Sequence, residues 1–127
     1  MVLEKLKDEN ATIALIGASN DKQKYGNKIY CDLRNKGYNL TPINPKQETI
    51  EGDKAYNSIE EMPKLPDIAN FVVPPSIAIK IAQNISKLGG KHLWFQPGSE
   101  SNELETWLKN EDGIEYLINA CIMVETR

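Results

Sequence analysis

Gly17-Ala18-Ser19-Asn20 stands where an apolar run, Thr12 to Ile16, meets the start of a helical pattern, with Lys22, Lys24 and Lys28 just beyond. These residue types in this order suit an anion. A glycine lets backbone approach a ligand closely, and the first turn of a following helix offers unpaired N–H groups and a partial positive charge. Ser19 and Asn20 add side-chain donors, and the lysines add charge. Charge-assisted hydrogen bonds contribute roughly 1.5–3 kcal/mol each, so three or four would hold a diphosphate. The same residues also suit a tight strand-to-helix turn, which any βαβ unit needs.

Three further loops have a related character: Pro42-Ile43-Asn44-Pro45-Lys46, Val73-Pro74-Pro75-Ser76 and Gln96-Pro97-Gly98-Ser99. Each follows a strand-like run, and together they hold five of the seven prolines. Proline fixes φ and offers no N–H, so such loops are stiff and present flat apolar surface suited to a planar heterocycle. Singly, Pro75 also reads as the first residue of a helix and Pro42 as the end of strand pairing. Cysteine and histidine are few, and no carboxylate in these loops stands out as a catalytic acid. Cys31 and Cys121 match no zinc or redox spacing and read as reduced thiols. His92 is the single histidine, placed at the start of a strand, so no two-histidine mechanism is available.

The elements that must carry these loops alternate. Val2, Leu3 and Leu6 suggest a short N-terminal helix. Thr12–Ile16 reads as a strand buried on both faces, 26–36 as a helix closed by Gly37, and 38–44 as the next strand. Ser58-Ile59-Glu60-Glu61 has capping-box spacing for a short helix that Pro63 stops. Ile68 to Val73 predicts a strand, and Ile77, Ile81, Ile85 and Leu88 a helix ended by Gly89-Gly90. Leu93-Trp94-Phe95 is a strand, and Leu104, Trp107 and Leu108 mark a helix. The stretches 114–118 and 121–124 read as the last extended segments. Repeated strand–helix alternation predicts a single α/β domain over 1–127, doubly wound, with a mostly parallel sheet and helices on both faces. In such sheets ligands sit at the carboxyl ends of the strands, where these loops lie.

Composition narrows the function. The chain has 127 residues, a net charge of −3 and a pI near 5.2, which argues against a nucleic-acid role. No apolar run approaches the roughly 20 residues of a membrane span. The charged start, Glu4 to Glu9, does not read as a signal peptide, so a cytoplasmic address is expected. A nicotinamide dinucleotide is disfavoured. The G-x-G-x-x-G pattern is absent, and Asn44 and Lys46 stand where a ribose-binding acid would be. A lysine there instead suits a phosphorylated ribose, as in coenzyme A or NADP.

The strings IALIGAS (13–19), KYGN (24–27), LTPINPK (40–46), ETIEGDKAY (48–56), FVVPP (71–75), LWFQPGSES (93–101) and CIMVET (121–126) resemble the stand-alone CoA-binding proteins of bacteria and archaea. The chain is also similar to the N-terminal domain of the succinyl-CoA synthetase alpha subunit. The resemblance covers nearly the whole chain from Thr12. It implies a Rossmann-like fold that binds coenzyme A, with Gly17, Ala18, Ser19 and Asn20 facing the diphosphate and Tyr25 and Asn27 beside them. Pro42, Asn44, Pro45 and Lys46 would frame the adenosine and its 3′-phosphate. Val73, Pro74 and Pro75 would form the opposite wall, and Gln96, Pro97 and Gly98 would lie toward the pantetheine arm. Ala120 stands where many relatives carry a basic residue before the final cysteine. The synthetase's phosphorylated histidine lies in a domain outside this resemblance, and His92 is not its counterpart.

The leading expectation is a non-catalytic carrier, sensor or regulatory protein for coenzyme A or an acyl-CoA, with no membrane or nucleic-acid partner. A CoA-binding subunit of a multi-chain acyl-CoA ligase is the first alternative, and an NADP-dependent oxidoreductase the second. Three finer expectations follow. Gly17→Val abolishes binding while the fold survives. Cys121 forms a mixed disulfide with oxidised CoA. Lys46 lies near the 3′-phosphate.

Overall fold

The computed structural model describes residues 1–126. Five strands, β1 (Thr12–Ile16), β2 (Asn39–Ile43), β5 (Ile68–Phe71), β6 (His92–Phe95) and β7 (Glu115–Ile118), form one sheet in the order β2-β1-β5-β6-β7. All four pairings are parallel. Parallel strands are covered on both faces, and the sequence reflects this in runs without polar alternation. On β1, Ala14 and Ile16 join one core layer, and Ile13 and Leu15 the other. Helices α3 (Pro75–Lys87) and α4 (Asn102–Asn110) supply the first layer. Helices α1 (Val2–Leu6), α2 (Tyr25–Asn35) and α5 (Ile122–Glu125) supply the second.

The strand order reverses between β1 and β5, because the chain leaves β1 toward β2 and returns on the other side to β5. That is where a crevice opens in doubly wound sheets. Local chemistry fixes the helices around it. Pro75 occupies the first turn of α3, where its missing N–H costs nothing. Ser101 caps α4 by accepting the Leu104 N–H at 3.1 Å.

Four details differ from the sequence expectations. Residues 121–124 do not form a strand: Cys121 is the N-cap of α5. Asn119 takes φ 55°, turning the chain off β7, and the segment packs as one helical turn. Pro42 lies inside β2 rather than in the loop after it. A sheet edge tolerates proline, and the Pro42 carbonyl there accepts the Tyr56 N–H at 3.1 Å. Ser58 makes no capping bond, and Ile59–Glu61 is a single 3₁₀ turn. On α3 the buried residues are Ala78, Ile79, Ala82 and Ile85, whereas Ile77 and Leu88 are about half exposed (46% and 45%).

A hairpin not anticipated from the sequence, β3 (Thr49–Ile50) and β4 (Asp53–Lys54), follows β2. Its two-residue turn, Glu51-Gly52, has positive φ at both positions (49° and 84°), as a tight hairpin requires. Tyr30 of α2 donates to Asp53, which also pairs with Arg34 at 3.1 Å.

Asn70, fully buried in β5 between Leu15 and Trp94, finds no hydrogen-bond partner for its side-chain nitrogen or oxygen among the described residues. An unpaired buried polar group costs about 1–3 kcal/mol. Asn70→Val, which suits a central strand, is therefore expected to raise the urea midpoint. A lower midpoint would show that the amide is satisfied in solution.

Candidate functional site

Two depressions meet at the carboxyl ends of β1 and β5. The first is an apolar cleft of about 420 Å³, walled by Ile16, Ile43, Ile59, Val73, Ile77 and Ile81, with Pro45, Asn57, Ser58, Glu60, Lys80 and Asn84 at its margins. The second, about 380 Å³, is lined by Ala18, Ser19, Lys24, Tyr25, Gly26 and Asn44. Gly17 and Val73 belong to both, so the two run together over one saddle.

The saddle is built by close backbone approach. Gly17 donates its N–H to Ile43 at 3.1 Å, and Val72 donates to Ile16 at 2.8 Å. Gly17 takes φ 103°, and a Cβ there would overlap the Val72 carbonyl oxygen. A Cβ on Gly26 would overlap the Gly17 carbonyl oxygen, so these two glycines let α2 seat directly on the loop. On the far side, the buried Ser99 hydroxyl accepts the Val73 N–H at 3.1 Å and donates back to the Val73 carbonyl at 2.6 Å.

Most polar side chains of the first loop hold the loop itself. Asn20 bonds the Thr49 carbonyl and the Glu51 N–H, each at 2.8 Å. Asn27, buried, donates to the Ser19 carbonyl at 2.8 Å and to the Glu51 carboxylate at 3.2 Å. Ser19 accepts the Asp21 N–H at 3.0 Å. Lys22 pairs with Glu51 at 3.4 Å. Bonds from Asn27 and Lys22 hold the Glu51 carboxyl below its usual range. Asn44 joins two loops, donating to the Ala18 carbonyl at 2.8 Å and accepting the Lys46 and Gln47 N–H groups at 2.8 and 3.0 Å. What remains for a ligand is backbone: the N–H groups of Ala18, Ser19, Tyr25 and Gly26 make no hydrogen bond among the described residues. They line the second depression at the positive end of α2, beside Lys24.

Tyr25 forms the outer end of that depression. Its hydroxyl lies 2.8 Å from the Cys121 sulfur and accepts from Gln96 at 3.4 Å. Burial and the neighbouring thiol push the Tyr25 hydroxyl up to about 12. For Cys121 burial acts upward, but bonds from Tyr25, Gln96 and the Met123 and Val124 N–H groups outweigh it, and the thiol ends below its ordinary value.

The structure thus gathers Gly17, Ala18, Ser19, Tyr25, Asn44, Pro45 and Val73 around the two depressions. Asn20, Asn27, Pro42, Pro74 and Pro75 support the loops without lining either one. Gln96 is wholly buried, its oxygen accepting the Ile122 N–H at 2.9 Å, while Pro97 and Gly98 are exposed beyond it. Lys46 is exposed and lines neither depression. Sequence reasoning missed Ile59, Ile77, Lys80, Ile81 and Asn84. The available signal was on α3, where 77, 80, 81 and 84 follow a helical repeat distinct from the buried one.

Residues 11–127 match the family described as CoA binding domain. A conserved hypothetical protein from Pyrococcus furiosus has the same fold, with a TM-score of 0.85 and 47% identity over 91% of this chain and 98% of that one. The alpha subunit of an ADP-forming acetate–CoA ligase II from the same organism is 38% identical over 62% of this chain, which spans only 17% of that subunit. A dinucleotide-forming acetyl-coenzyme A synthetase 1 from Ca. Korarchaeum cryptofilum, solved with phosphate and ADP, superposes with a TM-score of 0.75 and 28% identity, over 92% of this chain and 27% of that one. No helix among the described residues is long and apolar enough to cross a membrane.

Proposed function

The chain belongs to the CoA-binding domain family, and we propose that it binds coenzyme A or an acyl-CoA across the Gly17–Val73 saddle, as a carrier, sensor or regulatory protein rather than as an enzyme. The observation that carries this is the junction of an apolar cleft with a row of unpaired N–H groups at the β1/β5 switch point. The adenine occupies the cleft among Ile43, Ile59, Val73, Ile77 and Ile81. The diphosphate lies over Ala18, Ser19 and the start of α2, with Lys24 beside it. The pantetheine arm leaves past Tyr25 toward Cys121.

Calorimetric titration with coenzyme A is expected to give saturable one-to-one binding, with NAD far weaker. Ile77 is half exposed, so Ile77→Glu leaves the fold intact. The carboxylate replaces an apolar wall and faces an anionic ligand. The removed apolar contact is part of a side-chain burial worth about 1.5–3 kcal/mol, so affinity is expected to fall about tenfold or more. Unchanged affinity in this variant would remove the cleft from the site.

A second reading rests on the similarity to the ligase alpha subunit: the chain is the CoA-binding part of a multi-chain acyl-CoA ligase. Co-purification with a subunit of ATP-grasp type would favour it.

A further inference from the structure

The two edges of the main sheet are finished differently. At β2, Pro42 offers no N–H, its carbonyl accepts the Tyr56 N–H at 3.1 Å, and the Asn44 N–H donates to the Tyr56 carbonyl at 3.0 Å. That edge is closed. At β7 the outer backbone is open. Glu115 stands opposite His92 and donates its N–H to Lys91 at 2.7 Å, so Glu115 and Leu117 turn their peptide groups toward β6. By alternation, the N–H and C=O groups of Tyr116 and Ile118 point outward, and they meet no partner among the described residues. The strand has none of the usual guards: no proline, no lysine and no bulge. Its one charge, Glu115, is drawn back to His92 at 2.8 Å. Ile114, Tyr116 and Ile118 are half-buried against the α3–α4 layer, and Leu117 against the α1 layer. On the α1 side a groove of about 240 Å³ runs along the edge beside Val2, Leu3 and Leu117.

We propose that the β7 edge is the interface of a homodimer, in which two copies pair antiparallel about a twofold axis at Tyr116. Their sheets then join into one of ten strands. A strand edge is complementary to extended backbone, and a twofold pairing asks that one strand complement itself. β7 meets that condition. With Tyr116 opposite the partner subunit's Tyr116, Ile114 lies opposite the partner subunit's Ile118, and each of these pairs exchanges two hydrogen bonds. The α3–α4 side of the seam is then isoleucine and tyrosine throughout, residue types that favour cross-strand contact. On the α1 side, Glu115 lies opposite the partner subunit's Leu117. The two Glu115 carboxylates therefore do not face one another, and each stays with the His92 of its own chain. The edge is two strands away from the β1/β5 switch point, so the dimer leaves the Gly17–Val73 saddle open.

Sedimentation equilibrium of the parent chain is expected to show a reversible monomer–dimer equilibrium, with amide exchange at Tyr116 and Ile118 slowing as the dimer forms. Two double variants separate the seam from packing within one copy. Ile114→Lys with Ile118→Lys sets lysine against lysine across the seam, whereas Ile114→Lys with Ile118→Glu sets lysine against glutamate. Positions four apart on one strand are separated by about 13 Å, so neither pair interacts within a chain. The lysine–glutamate chain is expected to dimerise about tenfold more tightly than the lysine–lysine chain, with circular dichroism confirming that both fold. The exchange pattern of the parent decides the seam without either variant. A parent that stays monomeric at millimolar concentration overturns the proposal. So does a dimer in which Tyr116 and Ile118 exchange as fast as in the monomer, or one that the two folded double variants form equally well.

Discussion

Gly17→Val is expected to lose about 2–6 kcal/mol of folding stability, the sum of left-handed backbone strain and overpacking at about 1–3 kcal/mol each. Against a typical domain stability of about 5–15 kcal/mol, that leaves a marginal or unfolded chain. From sequence, Gly17 reads as a place where a ligand approaches, and the variant as a folded protein that no longer binds. The geometry assigns the space to the chain itself. The position a Cβ would take is filled by the carbonyl of Val72, which directly follows β5 and donates its N–H to Ile16 of β1, so neither can retreat without breaking the edge of that pairing. Gly37 provides the control: it has φ 89° but open space around it, so Gly37→Ala carries only the backbone strain. Urea unfolding of Gly17→Ala, Gly17→Val and Gly37→Ala measures the difference. Equal midpoints for the two alanine variants would mean that the saddle can open, and would return Gly17 to the ligand.

The same contrast explains what could be read from the residues alone. β1, β5 and β6 are runs in which nearly every residue is buried, and a buried parallel strand has few other sequence forms. Their order then placed the loops at one end of the sheet. Residues 121–124 resemble such a run, but what decides their conformation is distant in sequence. Lys36 donates to the Met123 carbonyl at 3.0 Å and to Thr126 at 2.9 Å, closing the end of α5. α3 was ambiguous for a different reason. Its isoleucines suggested the core, yet the alanines 78 and 82 let the helix approach the sheet, which turned Ile77 and Ile81 outward to line the cleft. Of the side chains expected to donate to a diphosphate, Ser19 and Asn20, Asn20 is consumed by a hairpin whose Glu51-Gly52 turn is an inconspicuous pair of residues, and Asn27, expected beside the site, bonds the same turn.

Thiol chemistry separates the two cysteines. At pH 7, limiting iodoacetamide is expected to label Cys121 and leave Cys31 largely unmodified, as read by intact mass and peptide mapping. Burial and the nearby Glu51 carboxylate push the Cys31 thiol up, whereas the donors around Cys121 bring it below the ordinary thiol value. Because the thiolate is the nucleophile, a lower value means more reactive sulfur below that pH. Tyr25→Phe removes the nearest donor, raises the Cys121 thiol and depletes its thiolate at neutral pH. A hydrogen bond to a charged group is worth about 1.5 kcal/mol, so the thiolate population falls about tenfold. The more basic thiolate attacks about threefold faster, leaving a net loss of about threefold in rate. The difference narrows as pH rises and both thiols ionise. Oxidised CoA extends the test to the proposed ligand: Cys121 attacks its disulfide, one CoA thiolate leaves, and the mass gains one CoA moiety. Preferential labelling of Cys31, or a Tyr25→Phe chain that reacts as fast as the parent at pH 7, would show that the Tyr25–Cys121 contact does not activate the sulfur.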